Sequence, residues 1–486
     1  MNVVSRKRIA HWLAVLISLH STACASTLPQ SGMEGIWEGQ VEVASFGLKK
    51  RLILRVSGEN GRLRVTLDAP TAHTFDLALR DLRIEGQTLR FSIPVNNRRK
   101  WEFDGRLERD SIVGTITGGG HSGVFSLKRS SPGVVVSASR TQPIRWEQKP
   151  RDYWPTTEWK LYDPSAQGVN PIWLADAERF IREKLPQVRS LLIVRNGRLF
   201  YEQYFQGATV NDLFNIKSVT KSFTSALVGI ALGEGLIRSE NETIADLLPE
   251  YFTMQTDPRK RRITLRHLLT MTAGFEWEEN GPITTRWVQS DDYAKFTLDL
   301  PVIIEPGKVQ KYNSGLSHLL SVSLTRRSRM SAMEYAQKRL FAPIGIKVGR
   351  WDTDPQGYNE GSSELFLTAR DLARFGFLYL NAGLWESRQI VPAEWIWQST
   401  SPQSGQDPLW AHYGYQWWVS GNDDLHSFAA LGYGGQAIRI VPKLDLVVVM
   451  TSTTIDPAND AQEFINRLII PAVSKEQSHA KQDTKR

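Results

Sequence analysis

Ser218-Val219-Thr220-Lys221-Ser222-Phe223-Thr224-Ser225-Ala226-Leu227-Val228-Gly229-Ile230-Ala231-Leu232 is the stretch on which the reading of this chain turns. Its apolar spacing predicts an amphipathic helix running to about Gly235. Ser218 and Lys221 stand three residues apart, on one face of that helix. Serine is a weak nucleophile and needs a base to take its proton. Lysine serves as that base only if its pKa falls, and burial and the positive end of a helix both push it down. The Ser218 N–H, at the same helix terminus, can donate to a developing oxyanion. Four residues alone fit a helix-capping serine and a surface lysine equally well. A second Ser-x-x-Lys, at Ser478-His479-Ala480-Lys481, is set aside because it lies in a polar tail.

The rest of the chain narrows the choice. Hydrophobic residues make up 41% and charged residues 23%, a globular balance, and 486 residues are too many for one ordinary core. Of the net charge of +8, Arg6, Lys7 and Arg8 supply three. These begin an expected export signal over residues 1–25: the apolar run from Ala10 to Leu19 is too short to span a bilayer, and Ala23-Cys24-Ala25 offers a cleavage site. Such a leader predicts export, to the periplasm of a bacterium, with no membrane span left after cleavage. Lipid anchoring through Cys24 is the weaker reading, because Ser21 stands where a lipoprotein signal usually carries leucine. Cys24 is the only cysteine, so no intrachain disulfide can form. The short basic runs Lys49-Lys50-Arg51, Arg98-Arg99-Lys100 and Arg259 to Arg262 come with no nucleic-acid motif, so no nucleic-acid partner is expected. The nine histidines are scattered without a ligand spacing, and neither a metal nor another cofactor is expected.

Residues 33–130 read as a small all-β domain, a barrel or a sandwich. Leu52, Leu54 and Val56 share one face of a strand, Asn60-Gly61 is a turn, and Leu63, Val65 and Leu67 alternate again. Further strands are expected at Leu89–Ile93, Trp101–Leu107 and Ile112–Thr117. Residues 131–163, with Ser130-Ser131-Pro132 at their start and Thr-Gln-Pro and Tyr-Trp-Pro further on, read as a linker laid across a surface. From 164 to 473, helices alternate with strands. An amphipathic stretch at Ala177–Lys184 precedes a strand pair around Asn196-Gly197, and a second pair surrounds Pro442. Strands at both ends with helices between predict an α/β sheet that holds a helical insertion. Residues 474–486 form the polar tail.

The segment from Ser218 to Leu232 resembles the nucleophile helix of the class C β-lactamase-like serine hydrolases, a family that includes penicillin-binding esterases and aminohexanoate-oligomer hydrolases. Three further segments are similar to parts of that family, in its order. Ile263 to Phe275 resembles its next helix, Pro306-Gly307 with Tyr312-Asn313-Ser314-Gly315 its tyrosine loop, and Arg370 to Gly376 a later helix. The resemblance implies an antiparallel sheet with flanking helices, a helical subdomain, and an active site between them. It implies Ser218 as nucleophile, Lys221 as base and Tyr312 as a second base. Tyr379-Leu380-Asn381 is a formal rival to Tyr312, beyond the expected place.

Two departures from the family pattern set the expected substrate. The family often has Tyr-x-Asn, whereas here Ser314 takes the third position; either Ser314 or Asn313 would then supply the missing contact. The family's late Lys-Thr-Gly is also missing. His121-Ser122-Gly123 precedes Ser218, and the positional match is Leu431-Gly432-Tyr433-Gly434-Gly435-Gln436. An oxyanion N–H is expected from Tyr433 or Gln436, with Gly434 and Gly435 admitting the substrate to the backbone. Without that lysine a β-lactam carboxylate lacks its cation. The expectation is therefore a small-molecule ester or amide substrate and weak β-lactamase activity. A non-catalytic ligand-binding protein of the same fold is the competing reading.

Overall fold

A computed structural model of the chain describes residues 32–473 except 44–47, 60–61, 70–73, 78, 95–99, 119, 131–142, 168, 170, 348, 408–410, 421–425, 454–463 and 471. The expected export signal with Cys24, the Asn60-Gly61 turn, much of the expected linker's first half, and the tail at 474–486 lie outside the described residues. The chain divides into two compact units, the first holding most of the residues before Val134 and the second running from Val135 onward.

The first unit is a single antiparallel sheet of nine strands between Gly35 and Ser130, rather than the two sheets of a sandwich. Its first strand, Gly35–Val43, pairs with its last, His121–Ser130, so that the middle strands Thr74–Leu77 and Arg80–Glu85 stand at the sheet's two edges. The alternation that predicted the strands reappears as burial. Along Lys100–Glu108, Trp101, Phe103, Gly105 and Leu107 are buried while their neighbours face water. Phe91 stacks on Phe103 across the same face at 4.5 Å. The strands flanking residues 60–61 pair Glu59 with Arg62, and Ile53, between Leu52 and Leu54 and so on the opposite face, is buried as well. His121 begins the closing strand of this unit.

The second unit is built on an eight-stranded antiparallel sheet. Two strands come from early in the unit, Val188–Arg195 and Arg198–Tyr204; the other six come from its end, between Ser404 and Ser452. The join between the two groups is the pairing of Val188–Arg195 with Leu446–Ser452. Successive residues of Val188–Arg195 serve two cores. Leu192 and Val194 pack with the helices Thr220–Gly233 and Ala369–Leu380, whereas Leu191 and Ile193 pack with the helix Pro171–Lys184 and with Ile465 and Ile469. Both faces of the strand are covered, so its sequence is a continuous apolar run rather than an alternating one.

The helix Pro171–Lys184 starts six residues before the expected amphipathic stretch, with proline at its first position, where the missing N–H costs nothing. In the expected helix Ile263–Phe275 only Leu265–Leu269 is helical. Thr264 and His267 close a capping box at its start, and Met271 and Gly274 then turn the chain with φ of 60° and 83°. From Pro143 to Tyr162 the chain has almost no regular structure, yet it is strapped onto this unit. Arg151 makes a two-pronged ion pair with the buried Asp445, and the Trp146 and Trp159 indoles donate to the Leu380 and Arg370 carbonyls. Among the described residues no helix is long and apolar enough to cross a membrane, and no cluster of side chains could hold a metal ion.

Candidate active site

Ser218 lies in a tight turn, Lys217–Val219, that runs straight into the helix Thr220–Gly233. The chain reaches this turn through Phe214–Asn215, which pairs with Leu365–Leu367. Lys217 takes a left-handed φ of 50° just before the serine. That backbone is uncommon for a residue with a side chain and must be held by its surroundings. The Asn215 side chain accepts from the Lys217 N–H at 3.0 Å, and Glu364 receives both the Lys217 ammonium, at 3.0 Å, and the Asn215 amide, at 2.7 Å.

The Lys221 side chain is 1% exposed. Its Nζ lies 3.1 Å from Ser218 Oγ, 3.1 Å from Ser314 Oγ and 3.0 Å from the Ser362 carbonyl oxygen. The helix around it is tied down by its own polar residues. Ser222 donates to the Gln416 carbonyl and Thr224 to the Gly361 carbonyl. Such back-up bonds lock the rotamers of the helix that carries Lys221, which a precise site requires.

Tyr312 brings its ring close to Lys221: Nζ is 5.0 Å from the ring centroid. The ring lies nearly parallel to Trp418 at 5.8 Å and edge-on to Tyr413 at 6.1 Å. Among the described residues, no hydrogen bond joins the Tyr312 hydroxyl to Lys221 or Ser218. Asn313 and Ser314 divide the roles that the sequence left open. The Asn313 amide oxygen caps the helix Ser314–Ser328 by accepting from the Leu316 N–H, and it is Ser314 that reaches Lys221. Tyr379, the formal rival to Tyr312, is wholly buried in the core against Trp417, away from this constellation.

The segment Leu431–Gln436 forms the end of a hairpin between strands Ser427–Gly432 and Gln436–Val441. Gly434 and Gly435 have φ of 81° and 96°, and the Gly435 N–H is turned back onto the Gly432 carbonyl. Tyr433, at the tip, is 52% exposed. The Gln436 side chain faces the neighbouring strand, donating to the Ser452 carbonyl and accepting from its N–H. That double bond is structural, so any contribution of Gln436 to an oxyanion site comes from its backbone. Gly432 matters for a different reason. A Cβ there would stand 2.5 Å from the Ile216 carbonyl oxygen, so only glycine lets this strand lie against the turn that carries Ser218. Gly432→Ala is expected to push the two apart by a fraction of an ångström, lowering kcat by about 10- to 100-fold and stability by about 1–3 kcal/mol. Steady-state kinetics and a thermal melt on the purified variant check both values.

Sequence reasoning missed three groups at this site. Glu279 accepts from the Ser314 hydroxyl at 2.5 Å, from the Ser314 N–H at 3.0 Å and from the Trp277 indole at 2.7 Å. Ser362 contributes a backbone carbonyl, and Glu364 holds Lys217. Glu279 sits in Glu276-Trp277-Glu278-Glu279, a run whose charge pattern suggests nothing but a solvated loop, and carbonyl oxygens carry no side-chain signal.

The family model for Beta-lactamase matches residues 182–470, more than half of the chain. Among curated proteins, the 6-aminohexanoate-dimer hydrolase of Paenarthrobacter ureafaciens is 22% identical over 356 residues, spanning 64% of this chain and 88% of that protein. A Bacillus anthracis structure provisionally assigned as a 6-aminohexanoate-dimer hydrolase superposes with a TM-score of 0.54 at 24% identity, over 62% of this chain and 82% of that one. A family VIII carboxylesterase superposes with a TM-score of 0.51 at 16% identity, over 62% and 98%. The structural likenesses carry the fold, an antiparallel sheet with flanking helices. On the family match and this architecture, the chain belongs to the beta-lactamase family.

Proposed function

We propose that the protein is an exported serine hydrolase that forms an acyl-enzyme on Ser218 with ester or uncharged amide substrates, and that it hydrolyses β-lactams poorly. The observation that carries this reading is the buried Lys221 amine, 3.1 Å from Ser218 Oγ. In the proposed sequence Lys221 takes the Ser218 proton as Oγ attacks the substrate carbonyl. Backbone N–H groups of Ser218 and of the Tyr433–Gln436 hairpin receive the oxyanion. The proton on Lys221 then passes to the leaving group, with Tyr312 beside it as a relay once substrate tightens the site. Water, activated in the same way, releases the acid.

Two observations support the substrate class. Relatives are named as a 6-aminohexanoate-dimer hydrolase and a carboxylesterase. The hairpin tip Leu431–Gln436, the positional match to the family's Lys-Thr-Gly, has an exposed tyrosine and no cationic side chain for a substrate carboxylate. The basic and apolar pattern of residues 1–25 supports export to the periplasm, and the nine-stranded sheet of residues 33–130 is proposed as an accessory domain.

Exposure to a fluorophosphonate is expected to add one adduct, located on Ser218 by peptide mass mapping. Turnover of aryl esters is expected to exceed that of nitrocefin by about 100-fold or more, the scale of one missing charge-assisted contact. A well-folded protein that takes up no label would overturn the acyl-enzyme reading. Nitrocefin turnover at the aryl-ester rate would overturn the substrate assignment alone.

A further inference from the structure

The hydrogen bonds around Lys221 have a direction, and Glu279 is where it originates. An ionised carboxylate accepts hydrogen bonds and donates none, and a backbone carbonyl does the same. Glu279 is surrounded by three donors: the Ser314 hydroxyl on one oxygen, and the Ser314 N–H and the Trp277 indole on the other. The Ser314 proton is therefore spent on Glu279, and the Ser314 oxygen presents lone pairs to Lys221 Nζ at 3.1 Å. The Ser362 carbonyl, at 3.0 Å, also accepts from Nζ. A neutral lysine amine has two hydrogens and one lone pair. Both hydrogens are claimed by Ser314 and Ser362, so the lone pair is left for the third neighbour, Ser218 Oγ.

We propose that Glu279 is a positioning residue that acts through Ser314 to aim the Lys221 lone pair at Ser218. This rests on the acyl-enzyme reading above and adds to it the group that orients the base. Without the carboxylate, the Ser314 hydroxyl is free to turn and donate into the Lys221 lone pair, in competition with Ser218. With it, the same three neighbours suit the amine before and after proton transfer. When Ser218 gives up its proton as Oγ bonds to the substrate carbon, the new N–H points along the same line, back towards the oxygen and the leaving group. No other bond at Lys221 has to move, the economy expected of a preorganised site.

Glu279→Gln is a sharp test because it keeps the shape and reverses the polarity. The two donors on one side of the carboxylate, Trp277 Nε1 and Ser314 N, oblige the glutamine to turn its oxygen towards them. Its NH2 then faces Ser314 Oγ and donates, which sends the Ser314 proton towards Lys221. Glu279→Gln, Ser314→Ala and the double variant are compared with the unaltered protein in three measurements: the second-order rate of fluorophosphonate labelling, kcat and KM on an aryl ester, and the thermal midpoint. Glu279→Gln is expected to lower the labelling rate and kcat by at least about tenfold while KM changes by less than about threefold, because only the proton-transfer step is affected. In the Ser314→Ala background the same change is expected to cost nothing further, since the link has been removed. A merely structural Glu279 would cost the same in both backgrounds.

Loss of less than tenfold in Glu279→Gln, or an undiminished loss in the Ser314→Ala background, overturns the proposal and leaves Ser218 as nucleophile. If Glu279→Gln does not fold, Ser314→Ala alone decides: labelling within tenfold of the unaltered protein overturns the proposal. If the unaltered protein itself takes no label on Ser218, the acyl-enzyme reading fails first and this inference falls with it.

Discussion

Ser218→Ala is expected to lower ester turnover by about 10⁴- to 10⁶-fold, the loss seen when a serine hydrolase loses its nucleophile. Little else should change. Ser218 is half-buried, and among the described residues its one side-chain hydrogen bond is the one to Lys221 Nζ, so stability should stay within about 1 kcal/mol. Binding of substrate depends on the surrounding walls and should persist, leaving a folded protein that takes up ester and releases it unchanged. Steady-state assays, a thermal melt and titration with a slow substrate measure the three quantities. Residual turnover above a thousandth of the original would mean that another group attacks the carbonyl.

Lys221→Met carries the second large effect. Methionine approximates the length and volume of the lysine stem but brings no nitrogen. Loss of a positioned base typically costs 10²- to 10⁴-fold, and the upper half of that range, about 10³ to 10⁴, is expected because no other amine or imidazole bonds to Ser218 among the described residues. The effect on folding has two opposed parts. The Ser314 hydroxyl and the Ser362 carbonyl lose a donor in a buried setting, at about 1–3 kcal/mol. Against this, an amine no longer has to be taken out of water. Stability should therefore fall much less than activity does. Pre-steady-state acylation separates the base from other roles: with Lys221 gone, the burst itself should slow, whereas a defect confined to product release would leave it intact. Activity within tenfold of the unaltered protein would pass the role of base to Tyr312.

Much of the architecture was legible in advance, from periodicity in the strands and from the family resemblance in the segments around Ser218. The alternation at Leu52, Leu54 and Val56, the continuous apolar run of Leu191 to Val194, and the ordered family segments from Ser218 to Gly376 each state a local requirement that burial then meets. Where the reading went astray, the cause lay in contacts between distant residues. The helix after Ile263 is short because Met271 and Gly274 turn the backbone to bring Gly274 against Ile304. The segment read as a linker across a surface is held there by a contact no local pattern announces, Arg151 to Asp445, nearly three hundred residues away. In the site, the spacing put Ser218 and Lys221 on one helix face, but only the family resemblance favoured them over a capping serine and a surface lysine, and the same resemblance supplied Tyr312. The division of labour between Asn313 and Ser314 could not be read, because both are common helix-start residues and only the position of Lys221 decides which one caps. Glu279 gave no signal, since the hydroxyl it binds lies thirty-five residues further on.

The join between Val188–Arg195 and Leu446–Ser452 also has a consequence for how the molecule comes into being. The strand that must lie against the start of the sheet is among the last parts of the domain to be synthesised. Gly432, which closes on the turn that holds Ser218, precedes that strand by fourteen residues. Such non-local pairing makes folding slow, because a long loop must close before any contact rewards it. A nascent chain therefore carries Ser218 and Lys221 for more than two hundred residues before the strand that packs against their turn has been made.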